Sequence, residues 1–245
     1  MDNLAKLYTS SEYTEKNPEY HAKDSPFKWS NFQKCLKDAS KSEKIDLSRI
    51  HLVCEVGCGA GGILDCLKNS GILPSLTKVE GWDINPSAIE IAKKSHADID
   101  FFCDNVFLAG KQYDLMLCAD VFEHVENPFE FLRNLRNTSR HFVFNIPLEM
   151  NLLAMLRGRK VVDTIYESVG HLHFYSASSA ELTLEICGYK ILSKRFARNR
   201  TGLLSTYPSL KNYVMAVPQF LLESFSPYLA SVLMGDSLVV VACRK

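Results

Sequence analysis

Between Val53 and Cys66 the chain reads VCEVGCGAGGILDC, a β-branched run that ends in a cluster of glycines. Gly57, Gly59 and Gly61 form a G-x-G-x-G pattern, and Gly57, Gly59 and Gly62 form G-x-G-x-x-G. A turn of this composition between a strand and a helix lets backbone N–H groups approach a ligand, because no Cβ stands in the way. Glu55, two residues ahead of the first glycine, repels a pyrophosphate and suits a ligand that carries a cationic amino group. Asp83 closes VEGWD ahead of Ile84, where a carboxylate accepts both hydroxyls of a ribose. In FFCDNV, Asp104 is placed to accept from an exocyclic adenine amine, with Asn105 beside it and Phe102 and Val106 as apolar flanks. Three histidines are candidate bases: His124 in DVFEHVENP, and His171 and His173 in GHLHF.

These residues need elements that bring them together. From about residue 50, short β-branched or aromatic runs alternate with capped amphipathic helices, the pattern of βαβ units on a mostly parallel sheet. Strands are expected at Leu52–Val56, Lys78–Trp82, Ile99–Cys103, Leu115–Ala119 and Phe142–Ile146, with helices starting near Ala60, Pro86 and Pro128. Ahead of them, SPFKWSNFQKCLKDASK reads as a leading helix with Ser25 as N-cap and Pro26 at N1. Leu148 to Gly170 is expected as a long connection, after which Ser178-x-x-Glu181 opens a helix that ends at Gly188. Tyr189–Arg195 and Ser237–Cys243 supply the last two strands, and Asn199 to Gly235 between them is too long for a hairpin loop and reads as a helical insert. The expected fold is α/β, a doubly wound, mostly parallel seven-stranded Rossmann-like sheet. One domain, 1–245, has a helical cap over 1–45 and an insert over 199–235.

Composition fits one such domain: 245 residues, 47% apolar, with 28 basic and 28 acidic side chains. The balanced charge gives no footprint for nucleic acid. Eight cysteines include no C-x-x-C pair. Several, Cys54, Cys103 and Cys118 among them, lie in apolar runs, so a reducing cytoplasm is expected. The polar N-terminus, MDNLAKLYTSSEYTEKNPEY, does not read as a signal or transit peptide. The uncharged runs Asn212–Leu222 and Ser224–Gly235 fall short of the ~20 residues that span a bilayer.

A cationic amine, a ribose and an adenine on one ligand describe S-adenosylmethionine (SAM). EVGCGAG, GWDINPSAI, FFCDN and YDLMLCADVFEHVENPFEFL stand in an order and spacing that resembles the class I SAM-dependent methyltransferases. The fourth block and GHLHFYSASSAELTLEICGY are similar to the ubiquinone-biosynthesis O-methyltransferases, and EKNPEYHAKDSPFKW resembles methyltransferases found with glycan-assembly genes. The resemblance covers residues 50 to 196 well and the insert not at all. It implies that Glu55, Gly57 and Gly59 contact the methionine portion, Asp83 the ribose and Asp104 the adenine amine, while Asp120 and Val121 line the floor of the pocket.

The implied reaction is methyl transfer to a small-molecule or glycan-precursor acceptor, most often at oxygen. Two rivals are a SAM-binding scaffold without turnover and a nicotinamide-dependent oxidoreductase. Displacement at a sulfonium carbon has an activated leaving group, so alignment dominates and a histidine base suffices for a hydroxyl. The spacing leaves open which of His124, His171 and His173 serves. No metal is expected: no carboxylate near GHLHF completes a ligand set, and the fifth strand ends Asn145-Ile146-Pro147, without the aspartate of a catechol-type magnesium site. The segment MNLLAMLRGRK and the insert are places for acceptor choice, a homodimer contact or contact with a membrane surface.

Overall fold

In a computed structural model that describes residues 22–245, seven strands form one sheet in the order β3-β2-β1-β4-β5-β7-β6. They are β1 (Leu52–Val56), β2 (Lys78–Asp83), β3 (Asp100–Cys103), β4 (Tyr113–Ala119), β5 (Ser139–Leu148), β6 (Tyr189–Phe196) and β7 (Asp236–Arg244). Pairings among β1 to β5 are parallel, whereas β7 runs antiparallel to both β5 and β6. From β1 the chain winds outward to β3, then crosses back to β4 on the other side. The strand order therefore reverses between β1 and β4, and a crevice opens at their carboxyl ends, where α/β sheets bind ligands.

The central strands are buried on both faces, which is why their sequences are almost continuously apolar. Successive residues pack on opposite sides. Val53, Leu115, Leu117, Val143 and Val239 face one core, built with α1 (Ser25–Lys41), α2 (Gly62–Asn69) and α3 (Pro86–Ser95). Cys54, Met116, Cys118, Phe142 and Val240 face the other, built with α4 (Pro128–Leu135) and α7 (Ala177–Ile186). Between β5 and α7 lie α5 (Leu152–Arg157) and α6 (Arg159–Val169). Between β6 and β7 lie α8 (Asn199–Gly202), α9 (Leu210–Phe225) and α10 (Pro227–Met234).

Several boundaries differ from the sequence expectation, each for a local reason. Ser25 is helical and buried, so Asp24 occupies the N-cap position and Pro26 the second helical one. α2 starts at Gly62 rather than Ala60, because Gly57, Gly59 and Gly61 all have positive φ and the turn consumes those residues. α7 is capped by Ser176, not Ser178: the Ser176 side chain accepts from Ser179 N, and Ser179 Oγ accepts from Ser176 N, a capping box closed by serine instead of glutamate. The expected connection from Leu148 to Gly170 contains two helices, α5 capped by Asn151 and α6 starting after Gly158. Cys54 and Cys118 are buried, but Cys103, at the end of the edge strand, is exposed. The first part of the expected helical cap, and the start of EKNPEYHAKDSPFKW, lie outside the described residues. Among those residues no helix is long and apolar enough to cross a membrane.

Candidate active site

At the switch point the β1–α2 turn, the ends of β2, β4 and β5, and the first turn of α1 enclose a cavity of about 580 Å³. The glycine turn is stitched to β2: Gly57 N and Cys58 N both donate to Trp82 O, at 2.8 and 3.2 Å. Gly59 N donates to Asp83 Oδ2 at 2.9 Å, and Asn85 N donates to Asp83 Oδ1 at 2.8 Å. The Asp83 carboxylate keeps accepting capacity for a ligand hydroxyl beside these donors. Burial raises the Asp83 pKa against the backbone N–H donors of Asn85, Gly59 and Ile84.

Glu55 lines the same cavity and is buried, and its Oε2 accepts no hydrogen bond. Burial holds its pKa well above the ordinary carboxylate value, with Lys28 opposing the shift. A cationic group on a ligand satisfies such an oxygen, so the residues present fit a ligand with an amino end.

Asp120 sits just past β4 with φ of +54°, a left-handed conformation unusual for a residue with a side chain. Three contacts hold it there. Its N–H donates to Asn145 O at 3.1 Å, Asn145 Nδ2 donates to its Oδ1 at 2.6 Å, and Lys28 Nζ from α1 lies 2.6 Å from its Oδ2. Burial alone would raise the Asp120 pKa; the lysine and the asparagine outweigh it and hold the group below its usual value.

Beyond Asp120, the backbone N–H groups of Leu172 and His173 both donate to Glu123 O, which ties GHLHF to the loop after β4. The rings of His124 and His171 meet edge to face with centroids 4.6 Å apart. Glu149, just past β5, lies with Oε2 2.6 Å from His171 Nδ1. A carboxylate only accepts, so the neutral imidazole carries its proton on Nδ1 and its lone pair on Nε2. Burial and the neighbouring His171 push the His124 pKa down to about 4, so that ring is neutral near pH 7. Glu123 is fully buried, and neither of its side-chain oxygens has a hydrogen-bond partner. One ligand atom each from Glu123, His124 and His171 lie within 4.8 Å of one another, a set that can hold a divalent cation.

The expected site residues separate into two groups. Glu55, Gly57, Gly59, Asp83, Ile84, Asp120, Val121, His124 and His171 line the cavity. Gly61, Asp104, Asn105, Val106 and His173 do not. Gly61 caps α2; Asp104 Oδ1 accepts from the N–H of Asn105 next to it, at 2.7 Å; Val106 is buried; and Phe102 stacks on Trp82 instead of standing free. His173 Nε2 meets Val125 O at 2.9 Å. The sequence reading left out Lys28, Asn145, Glu123 and Glu149. The premise that no carboxylate lies near GHLHF is corrected, since Glu149 meets His171 at 2.6 Å and a Glu123 carboxyl oxygen lies within 4.8 Å of a His171 ring nitrogen. The missed signal was position: polar residues at the carboxyl ends of β4 and β5 face a switch-point crevice.

A family model described as a methyltransferase domain matches residues 29–194. The chain belongs to the methyltransferase family. Its sheet order is that of the class I, SAM-dependent type, as in solved relatives. This methyltransferase is 32% identical over 98 residues to the ubiquinone biosynthesis O-methyltransferase of Rickettsia bellii, a match covering 39% of this chain and 40% of that relative. The chain thus spans well under half the length of the curated relatives it matches. In fold it is similar to the plantazolicin methyltransferase in complex with S-adenosylhomocysteine (SAH), with a TM-score of 0.61, 18% identity and coverage of 99% and 94% of the two chains. It is also similar to the magnesium protoporphyrin IX methyltransferase of Synechocystis PCC 6803 with bound SAM. There the TM-score is 0.57, identity 13% and coverage 100% and 98%. Family membership decides against the oxidoreductase alternative.

Proposed function

We propose that the methyltransferase carries a methyl group from SAM to an oxygen of a small-molecule or glycan-precursor acceptor, with His171, backed by Glu149, as the base. The observation that carries this reading is His171, held from behind by Glu149, on the wall of the cavity that Glu55 and Asp83 also line. Glu55 takes the amino group, the backbone at Gly57 and Gly59 the methionine end, and Asp83 the ribose, while Ile84 and Val121 supply apolar walls. Lys28 and Asn145 fix Asp120 beside the methionine end. Choice of oxygen follows the curated relatives, which are named as O-methyltransferases.

The test is transfer of labelled methyl from SAM to a panel of phenols, catechols and sugars, with SAH affinity measured in parallel. H171A is expected to bind SAH normally and lose roughly 10²–10⁴-fold in kcat, the range of general base catalysis. Unchanged kcat in H171A would overturn the base assignment, and SAH binding without transfer to any acceptor would leave the scaffold reading. A second reading is favoured by the unpartnered Glu123 carboxyl beside His124 and His171. A divalent cation there would polarise the acceptor oxygen. Activity that survives chelation supports the base; activity lost on chelation and restored by Mg²⁺ supports the cation.

A further inference from the structure

A second cavity, of about 400 Å³, lies beside the main one, between α5, α6, α8 and α9. Asn199 and Leu203 line both cavities. Glu149, on the wall of the second, meets His171, on the wall of the first, at 2.6 Å. The second cavity therefore starts where the base of the proposed reaction stands. Its volume is that of a small-ligand pocket, and Leu153, Val161, Ile165, Leu204 and Met215 give it apolar walls.

The polar groups on these walls are largely spent on one another. Glu149 Oε2 is taken by His171, and the two Asp236 oxygens accept from the N–H groups of Asn199 and Arg198 at 2.9 and 3.0 Å. Gln219, only 1% exposed, is used at both ends: its Oε1 accepts from Arg200 Nε at 2.8 Å, and its Nε2 donates to Gly235 O at 3.3 Å. Hiding an amide costs stability unless it is hydrogen-bonded, and here the bonds fix the guanidinium of Arg200. The terminal nitrogens of Arg200 have no partner among the described residues, and neither has the exposed Arg157 side chain on the same cavity. The charged groups left unspent are thus guanidinium forks, which match a carboxylate or phosphate through two parallel hydrogen bonds. Building on the methyl-transfer reading, we propose that the second cavity takes the far end of the acceptor, an apolar chain that closes on a carboxylate or phosphate gripped by Arg200. Arg157, more exposed, draws the same anion in.

The experiment is calorimetric titration of the SAH-loaded full chain with octanoate, octyl phosphate and uncharged octanol. Both anions are expected to bind about tenfold or more tighter than octanol, the size of one charge-assisted hydrogen bond, and the tighter of the two names the group. R200Q should lose about tenfold in affinity for that anion and little for octanol, with R200K in between because lysine keeps the charge without the fork. A154F, which fills the cavity from α5, should weaken anion and octanol alike while SAH affinity stays unchanged. Melting by circular dichroism checks that the variants fold. No binding of either anion, or binding that folded R200Q and A154F both retain, would overturn the proposal. In labelled-methyl transfer, a phenol carrying an octanoate tail should show a KM about tenfold below that of the matching octanamide, and R200Q should erase the difference; equal KM values in the wild type would also overturn it. Anion binding that depends on Arg200, with transfer to neither phenol, would count against the reaction and not against the cavity.

Discussion

The Lys28–Asp120 pair joins two residues far apart in the chain: a lysine on the first turn of α1 reaches an aspartate held in a left-handed conformation at the end of β4. Their side chains are 21% and 24% exposed. Removing one partner of a buried ion pair leaves a charge with poor solvation. We expect K28M to lose about 2 kcal/mol in urea unfolding, less than the ~3–5 kcal/mol of a fully buried pair, because water still reaches both groups. K28M/D120N should recover part of that loss, since the orphaned charge is then gone. Strict additivity of the two single changes would show that the residues do not interact. Asp120 was legible in the sequence as the end of an apolar strand in a block with family resemblance. Lys28 was not, because nothing in SPFKW states which cavity a helix end will face.

At the scale of elements, the β1–α2 turn shows why glycine spacing is informative. Gly57 has φ of +67°, and a Cβ added there would stand 2.6 Å from Val121 Cγ2. G57A should therefore weaken SAH binding by about tenfold or more by calorimetry, the left-handed backbone alone costing roughly 1–2 kcal/mol in an L-residue. Adding V121A removes the clash but not the backbone strain, so partial recovery is expected; full recovery would place the whole effect in packing. All seven strands were legible: the central ones as apolar runs buried on two faces, and the edge strands β3 and β6 as short runs with apolar or aromatic residues. Helix starts were less so. Ser176 and Ser178 are equally plausible caps in YSASSAEL, and only the closure of the Ser176–Ser179 box distinguishes them.

For the whole molecule, pH dependence follows from what the fold buries. His124 has a folded pKa of about 4 against an unfolded value near 6.5. Between those values the unfolded chain binds a proton that the native state refuses, so stability falls as pH drops through that window. H124Q lacks this penalty and should lose less in Tm than wild type between pH 7 and 5, by about 2–4 °C if the difference is near 1 kcal/mol. Asp236 works in the opposite sense. Burial raises its pKa to about 6, so its contribution is present at low pH and fades as pH rises through that value. Parallel melting curves for H124Q and wild type across the range would remove His124 as a contributor. The contrast between the halves of the chain has a physical origin: the sheet obeys one periodicity throughout, whereas α8 to α10 hide Gln219 and Glu223 and show their apolar side, contrary to the pattern by which a soluble helix is read.

The excursion from β6 to β7 begins and ends at one rung of the ladder, where Ala197 N donates to Ser237 O at 2.9 Å. Closing a loop costs entropy that grows only with the logarithm of its length, so the sheet is nearly indifferent to how much chain hangs from that rung. Asn199 and Leu203, just beyond it, also wall the main cavity. The rung thus behaves as a socket. What is plugged into it can be lengthened, shortened or exchanged over generations, retuning what enters the cavity while the glycine turn and Asp83, three and four strands away from β7, keep their grip.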